Sequence, residues 1–137
     1  VEEATDVYTD TAERRTLADF LTDVHASNEW VTHGKTAAYL RLTDRVIEGE
    51  RCPVIDVANV EVFAGFRDRG EFRRLIDYIA VMASGISYVR VENVMVPWLR
   101  EHLVRRGFKR EPAPPGGMEG FPSYYVRPQN LLNIRPQ

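Results

Sequence analysis

Cysteine is nearly absent from these 137 residues, with Cys52 standing alone. One thiol excludes an intramolecular disulfide and any cysteine-rich zinc site. It reads as a small buried apolar residue, not a nucleophile. The three histidines, His25, His33 and His102, fall in no paired ligand spacing, so no metal site is expected. Apolar runs stop far short of the roughly 20 residues a spanning helix needs, so no membrane is expected either. The opening Val1-Glu2-Glu3-Ala4 is acidic and has the features of neither a signal nor a transit peptide, which makes the cytoplasm the expected location. A strongly basic overall balance is also missing, at a net charge of −2, and bulk electrostatic binding of nucleic acid is not expected. What remains is 44% apolar and 28% charged, the balance of one soluble domain over residues 1–137 with a sizeable core.

The small net charge hides a split. Residues 1–25 carry seven acids against two arginines, and residues 67–110 carry ten bases against five acids. Within the basic half lies the most informative stretch. The apolar, β-branched run Val60-Glu61-Val62-Phe63 leads through Ala64-Gly65-Phe66 to Arg67-Asp68-Arg69-Gly70. A helical pattern then starts at once, with Phe72, Leu75, Ile76, Ile79 and Ala83 at helical spacing. Strand, glycine turn and helix start together build an anion site. The first helical N–H groups lack partners within the helix, and the macrodipole favours negative charge there. Arg67, Arg69, Arg73 and Arg74 add formal charge, so a phosphate-bearing ligand is expected.

Along the chain, residues 10–27 read as an amphipathic helix. Asp10 and Glu13 form its capping box, and Leu17, Phe20, Leu21 and Val24 its apolar stripe. A loop over 26–35 leads to strands at 36–47 and 52–63. The helix over 71–84 stops at Gly85, and a strand follows at 86–94. A helix opened by Pro97 ends before Gly107. Short strands begin at Phe108 and span Tyr124–Arg127, separated by a Pro/Gly loop over 112–122. The tail after Pro128 is expected to be loosely held. This order predicts a mixed α/β domain whose one sheet is covered by helices.

That arrangement resembles the GNAT superfamily of acyl-CoA-dependent N-acyltransferases, over about residues 36–127. The family's pyrophosphate loop, Arg/Gln-x-x-Gly-x-Gly/Ala, is matched by Arg67-Asp68-Arg69-Gly70-Glu71-Phe72 at Arg67 and Gly70, and departs at Phe72. A strand, a helix and then Gly107-Phe108 supply a second match. The resemblance implies a mostly antiparallel, twisted sheet flanked by helices and splayed at the cofactor site. It implies acetyl-CoA or another acyl-CoA, with Val60, Glu61, Val62 and Phe63 along the pantetheine and thioester. Arg67, Asp68, Arg69, Gly70, Glu71, Phe72 and Arg73 would surround the diphosphate. Binding by backbone amides tolerates Phe72 if its side chain turns into the core. The expected ligands are an acyl-CoA and an amine-bearing acceptor, and a homodimer is left open.

An amine must lose a proton to attack, and the thiolate must gain one. Asp56, eleven residues before Arg67, is the first candidate base, because an acid within Val54-Ile55-Asp56-Val57 should be partly desolvated. The alternative is a carboxylate satisfied by backbone donors or by Arg41. Glu61, expected on the opposite strand face, and Glu92, beside Asn93, are the other candidates. Tyr124 and Tyr125 are candidate acids, of which at most one points into the site. The family's usual tyrosine falls at Leu103 and its usual asparagine at Val96, and both depart. His102 is expected on the surface. Trp30 and Trp98 are expected in core or interface.

Overall fold

A computed structural model describes residues 14–62, 70–113 and 120–132. The described elements are β1 (Arg15–Thr16), α1 (Leu17–Thr22), β2 (Asn28–His33), β3 (Thr36–Ile47), β4 (Glu50–Val62), α2 (Glu71–Met82), β5 (Tyr88–Val91), α3 (Pro97–Arg105), β6 (Lys109–Arg110), β7 (Tyr124–Val126) and α4 (Pro128–Leu132). One seven-stranded sheet has the order β1-β2-β3-β4-β5-β7-β6. β1 runs parallel to β2 and β4 parallel to β5, and the remaining neighbours are antiparallel.

The middle and carboxy-terminal elements follow the sequence pattern closely, and the amino-terminal part does not. The expected long first helix is only Leu17–Thr22, with Thr16 as its cap: the Thr16 hydroxyl accepts from the Asp19 N–H at 3.2 Å. Leu17 and Phe20 enter the core, but Val24 lies beyond the helix and is 91% exposed. The Asp10–Glu13 box lies outside the described residues. Where a loop was expected, Asn28–His33 forms a strand against β3, with Val31 buried and its neighbours less so. The tail is not loose at its start either, because α4 packs on α2 and buries Leu131.

Gly107 explains the Gly-Phe pair. Its φ of 93° lies in the left-handed region, which turns the chain off α3. The Phe108 N–H then donates to the Leu103 carbonyl at 3.0 Å, and the phenyl ring drops into the core.

The sheet has two unlike faces. On one, Val31, Leu40, Ile55, Val57, Val60, Val89 and Val91 join buried residues of all four described helices in a single core. On the other, a smaller cluster of Ile47, Cys52, Val54, Tyr88 and Tyr125 gives way to charged groups.

A bulge decides which residues share a face. Leu40 pairs with Val57 and Tyr39 with Asn59, so Ala58 is an extra residue on β4. Asp56 lies opposite Arg41 and Glu61 opposite Ala37, two positions of like parity on the regular strand β3. The inserted residue therefore puts Glu61 on the same face as Asp56, where uninterrupted alternation gave opposite faces.

Candidate active site

β4 is paired with β5 only over Val54–Val57, and the Glu92 N–H closes that ladder on the Val57 carbonyl at 3.1 Å. The chain then leaves the ladder. Asn93 takes a φ of 50°, its N–H donates to Ser123 Oγ at 3.0 Å, and the Val94 N–H donates to the Pro122 carbonyl at 2.7 Å. β4 runs on through Val62 without a β5 partner, so its 58–62 segment presents a backbone edge. The splay begins at the bulge.

That edge leads toward the start of α2. Gly70 caps the helix with φ 73° and ψ 19°, and a Cβ built there would meet nothing within 4 Å. The left-handed conformation favours glycine, and the first-turn N–H groups of α2 have no acceptor within the helix. Phe72 is partly buried against the core, as its place on the apolar stripe demanded. Arg73 and Arg74 do not stand as isolated charges. Arg73 lies 3.6 Å from Asp77, and Arg74 donates to Glu71 at 2.8 Å. Phe63, Arg67, Asp68 and Arg69 lie outside the described residues, and of Val62 only the strand backbone is described.

Asp56 is fully buried, but not as a lone acid among valines. Arg45 grips it through Nε at 2.8 Å and Nη2 at 2.6 Å, and Arg90 Nη1 approaches at 3.3 Å. Both carboxylate oxygens are taken. Arg41, the partner weighed for Asp56, instead holds Glu92 with contacts of 2.8 and 2.7 Å. Burial would raise the Glu92 pKa, but Arg41, Arg90 and Arg45 together outweigh it and hold the carboxyl below its ordinary range. Arg90 also makes a two-point contact with Glu111, at 2.6 and 3.2 Å. These six side chains tie β3, β4 and β5 to the chain after β6 just below the splay.

Glu61 differs. Among the described residues its buried Oε2 has no hydrogen bond, and Arg14 Nη1, likewise unbonded, stands 4.0 Å away. Arg14 lies over the Trp30 ring at 4.8 Å from its centroid. Trp30 in turn tilts against Tyr39 at 5.7 Å, and Arg41 covers Tyr39 at 5.5 Å. This strip of aromatic rings and arginines was missed in the sequence because β2 was missed. Alternation within Asn28–His33 was its only signal.

Tyr124 and Tyr125 face opposite ways, as adjacent strand residues must. Tyr124 joins the main core, and Tyr125 packs edge-on to Tyr88 at 5.4 Å in the second cluster. Burial, then Glu48, pushes the Tyr125 pKa up. Leu103 is buried among core residues, and Val96 caps α3 without a side-chain bond. His102 is half-buried rather than on the surface, and burial followed by Arg106, Arg105 and Arg73 holds its pKa down. Trp98 is exposed.

A mixed sheet opened beside a bulged strand, with a helix starting from a left-handed glycine beyond it, is the architecture of the GNAT fold. No family model and no curated protein sequence matches the chain. Solved structures do. The AtaT toxin, in a mutant form bound to the C-terminus of the antitoxin AtaR and acetyl-CoA, is similar at TM-score 0.53 and 13% identity, over 70% of this chain and 60% of that one. A KacTA–DNA complex is similar at TM-score 0.54 and 15% identity, over 74% and 64%. A structure described as a bacterial toxin is similar at TM-score 0.51 and 17% identity, over 71% and 62%. The chain thus matches less than two thirds of the length of each. At these identities the likeness establishes the fold.

Proposed function

We propose that this protein transfers an acetyl group from acetyl-CoA directly to an amine, without an acyl-enzyme. The observation that supports this best is the unpaired β4 edge beyond Ala58, leading to the left-handed Gly70 at the start of α2. Residues 58–62 offer backbone donors and acceptors to the amides of the pantetheine arm, apart from the Val60 N–H, which donates to Asn59 Oδ1 at 2.8 Å. One of the N–H groups over Val60–Phe63 is assigned to the thioester carbonyl, where negative charge develops. First-turn amides from Glu71 to Arg73, with Arg67, Asp68, Arg69 and Gly70 before them, are assigned to the diphosphate. Acetyl-CoA supplies the activated acyl group.

For the proton on the amine, Glu61 is the better base. Asp56 and Glu92 are held by arginines, and Glu61 keeps an unbonded carboxylate oxygen on the free half of β4. The nitrogen bonds to the carbonyl carbon, the C–S bond breaks, and the amine proton goes to Glu61. With leucine at position 103, no side chain there protonates the thiolate, which departs as the anion and takes its proton from solvent. Tyr124 packs in the main core and Tyr125 in the second cluster, so neither is assigned that proton.

The runner-up reading, a GNAT-fold module that binds CoA or a protein partner without catalysing, is favoured by Leu103 and Val96, which stand where the resemblance implies a tyrosine and an asparagine. One experiment separates the two. Thermal unfolding is followed with acetyl-CoA, ATP and NAD, and thiol release is then measured over an amine panel. Saturation near 100 times the dissociation constant adds about 2.7 kcal/mol of stability. A shift specific to acetyl-CoA with turnover supports the enzyme, and a shift without turnover on any amine supports the module. The absence of any shift removes the enzyme and leaves a module that binds a protein partner. Two of these solved neighbours, AtaT and the structure described as a bacterial toxin, are named as toxins, so growth arrest on induced expression is a useful companion readout.

A further inference from the structure

We propose that Trp30 and Glu61 form a cation site, occupied here by the chain's own Arg14, which takes the acceptor as its alkylammonium, one proton of which Glu61 then removes. The identity of this cation as an acceptor rests on the acyl-transfer reading, whereas the site itself does not.

Two arginine–carboxylate pairs on the same sheet face make the case. Arg45 meets Asp56 with hydrogen bonds of 2.6 and 2.8 Å. Arg14 meets Glu61 at 4.0 Å, with Arg14 Nη1 and Glu61 Oε2 both buried and both without hydrogen-bond partners among the described residues. The guanidinium is stacked on Trp30 but falls short of the acid. Such a contact bears the desolvation of two charged atoms without the short charge-assisted bond that would offset it. A ring face and a carboxylate are the two elements that recognise an organic cation. A mobile ammonium with three donors can satisfy Glu61 where the tethered Arg14 does not.

The location fits an acceptor. Glu61 lies on the part of β4 that β5 leaves unpaired, and the bulge at Ala58 turns it to the face of Trp30 and Tyr39. Arg14 can leave without unfolding anything. The next residue, Arg15, is fastened by Glu29 and Asp23 and lies over Phe20, so the backbone stays fixed while the Arg14 side chain swings away. Arg14 then acts as an internal competitor.

The test uses Trp30 as its own reporter. Trp98, the other tryptophan, is exposed and is replaced as Trp98→Phe. Butylammonium is titrated against fluorescence, with butanol as a neutral probe of the same shape. Adding Arg14→Ala should tighten butylammonium binding about tenfold and leave butanol unchanged, an effect on the scale of one desolvated cation–π contact. Further adding Glu61→Gln should abolish the gain. Arg14→Gln, which keeps a polar side chain without charge, serves if the alanine variant unfolds. Unchanged or weaker butylammonium binding on loss of the Arg14 charge overturns the proposal. Acetyl-CoA melting is run on the same proteins. Cation binding without an acetyl-CoA shift would retain the site and refute the acyl-transfer reading.

Discussion

Asp56 and Glu61 are acids on one face of one strand, five residues apart, and they live in opposite circumstances. Asp56 sits where β4 is paired on both sides and is bonded by two guanidiniums. Glu61 sits past the bulge, where one side of β4 is open, and faces a single arginine across a gap. The lesson is that a carboxylate's role follows from the strand edge beside it more than from its neighbours in sequence. The paired half of β4 is fixed by charge, and the unpaired half is left for something else to complete.

The largest effect should come from breaking the fixed half. Asp56→Ala leaves Arg45 and Arg90 without their shared acid and should cost about 3–5 kcal/mol in urea unfolding. Arg45 keeps some exposure to water, so the lower end is expected. A cost under about 0.5 kcal/mol would mean that the lattice around Asp56 is not structural. Leu103→Ala comes next, at about 2–5 kcal/mol, because it opens a cavity at a buried position. A tyrosine at the same position separates packing from proton transfer. Leu103→Tyr should destabilise by about 1–3 kcal/mol through overpacking, and should raise kcat only if a missing acid limits the rate.

On the open half, the effects should fall on ligand binding with little loss of stability. Gly70→Glu has space for its side chain but not the right φ, and it puts negative charge beside the helix start. Acetyl-CoA affinity should drop more than tenfold while the fold remains cooperative. Unchanged affinity would remove the start of α2 from the site. Glu61→Gln should lower kcat and leave acetyl-CoA binding alone; loss of both together would make Glu61 a binding residue and not a base.

The smallest effect is in pH. The folded pKa of Glu92 lies below its ordinary value of 4.5, so its stabilising contribution is complete above that pH. It is lost as pH falls through the folded value. Wild type should therefore lose stability below about pH 4.5 more steeply than Glu92→Gln does. Parallel curves would show that the Arg41 contact adds nothing.

How much of this was legible depended on whether a feature was local. The bounds of β3, the start of α2, Pro97 opening α3 and the Gly107 reversal each follow from residues adjacent in sequence, and the sequence reading found them. The turn of Phe72 into the core followed from helical spacing alone. Two things were not local. The short β2 carries a weak alternation, and its pairing with β3 is what makes it a strand. Missing it hid Trp30 and Tyr39 as neighbours. The inserted Ala58 leaves no mark in composition, yet it reverses the parity of everything after it and brings Glu61 round to Asp56's face. Cross-strand partners such as Arg45 and Arg90 for Asp56 require register, which a single sequence does not supply.

On the proposed reading, residues 58–62 of β4 are an edge for acetyl-CoA to complete, whereas residues 54–57 are already paired on both sides. Amide hydrogen exchange along β4, with and without acetyl-CoA, tests it most directly. The account predicts new protection within 58–62 and at the start of α2, with 54–57 unchanged. Protection confined to 54–57, or none anywhere along β4 under saturating acetyl-CoA, would contradict it.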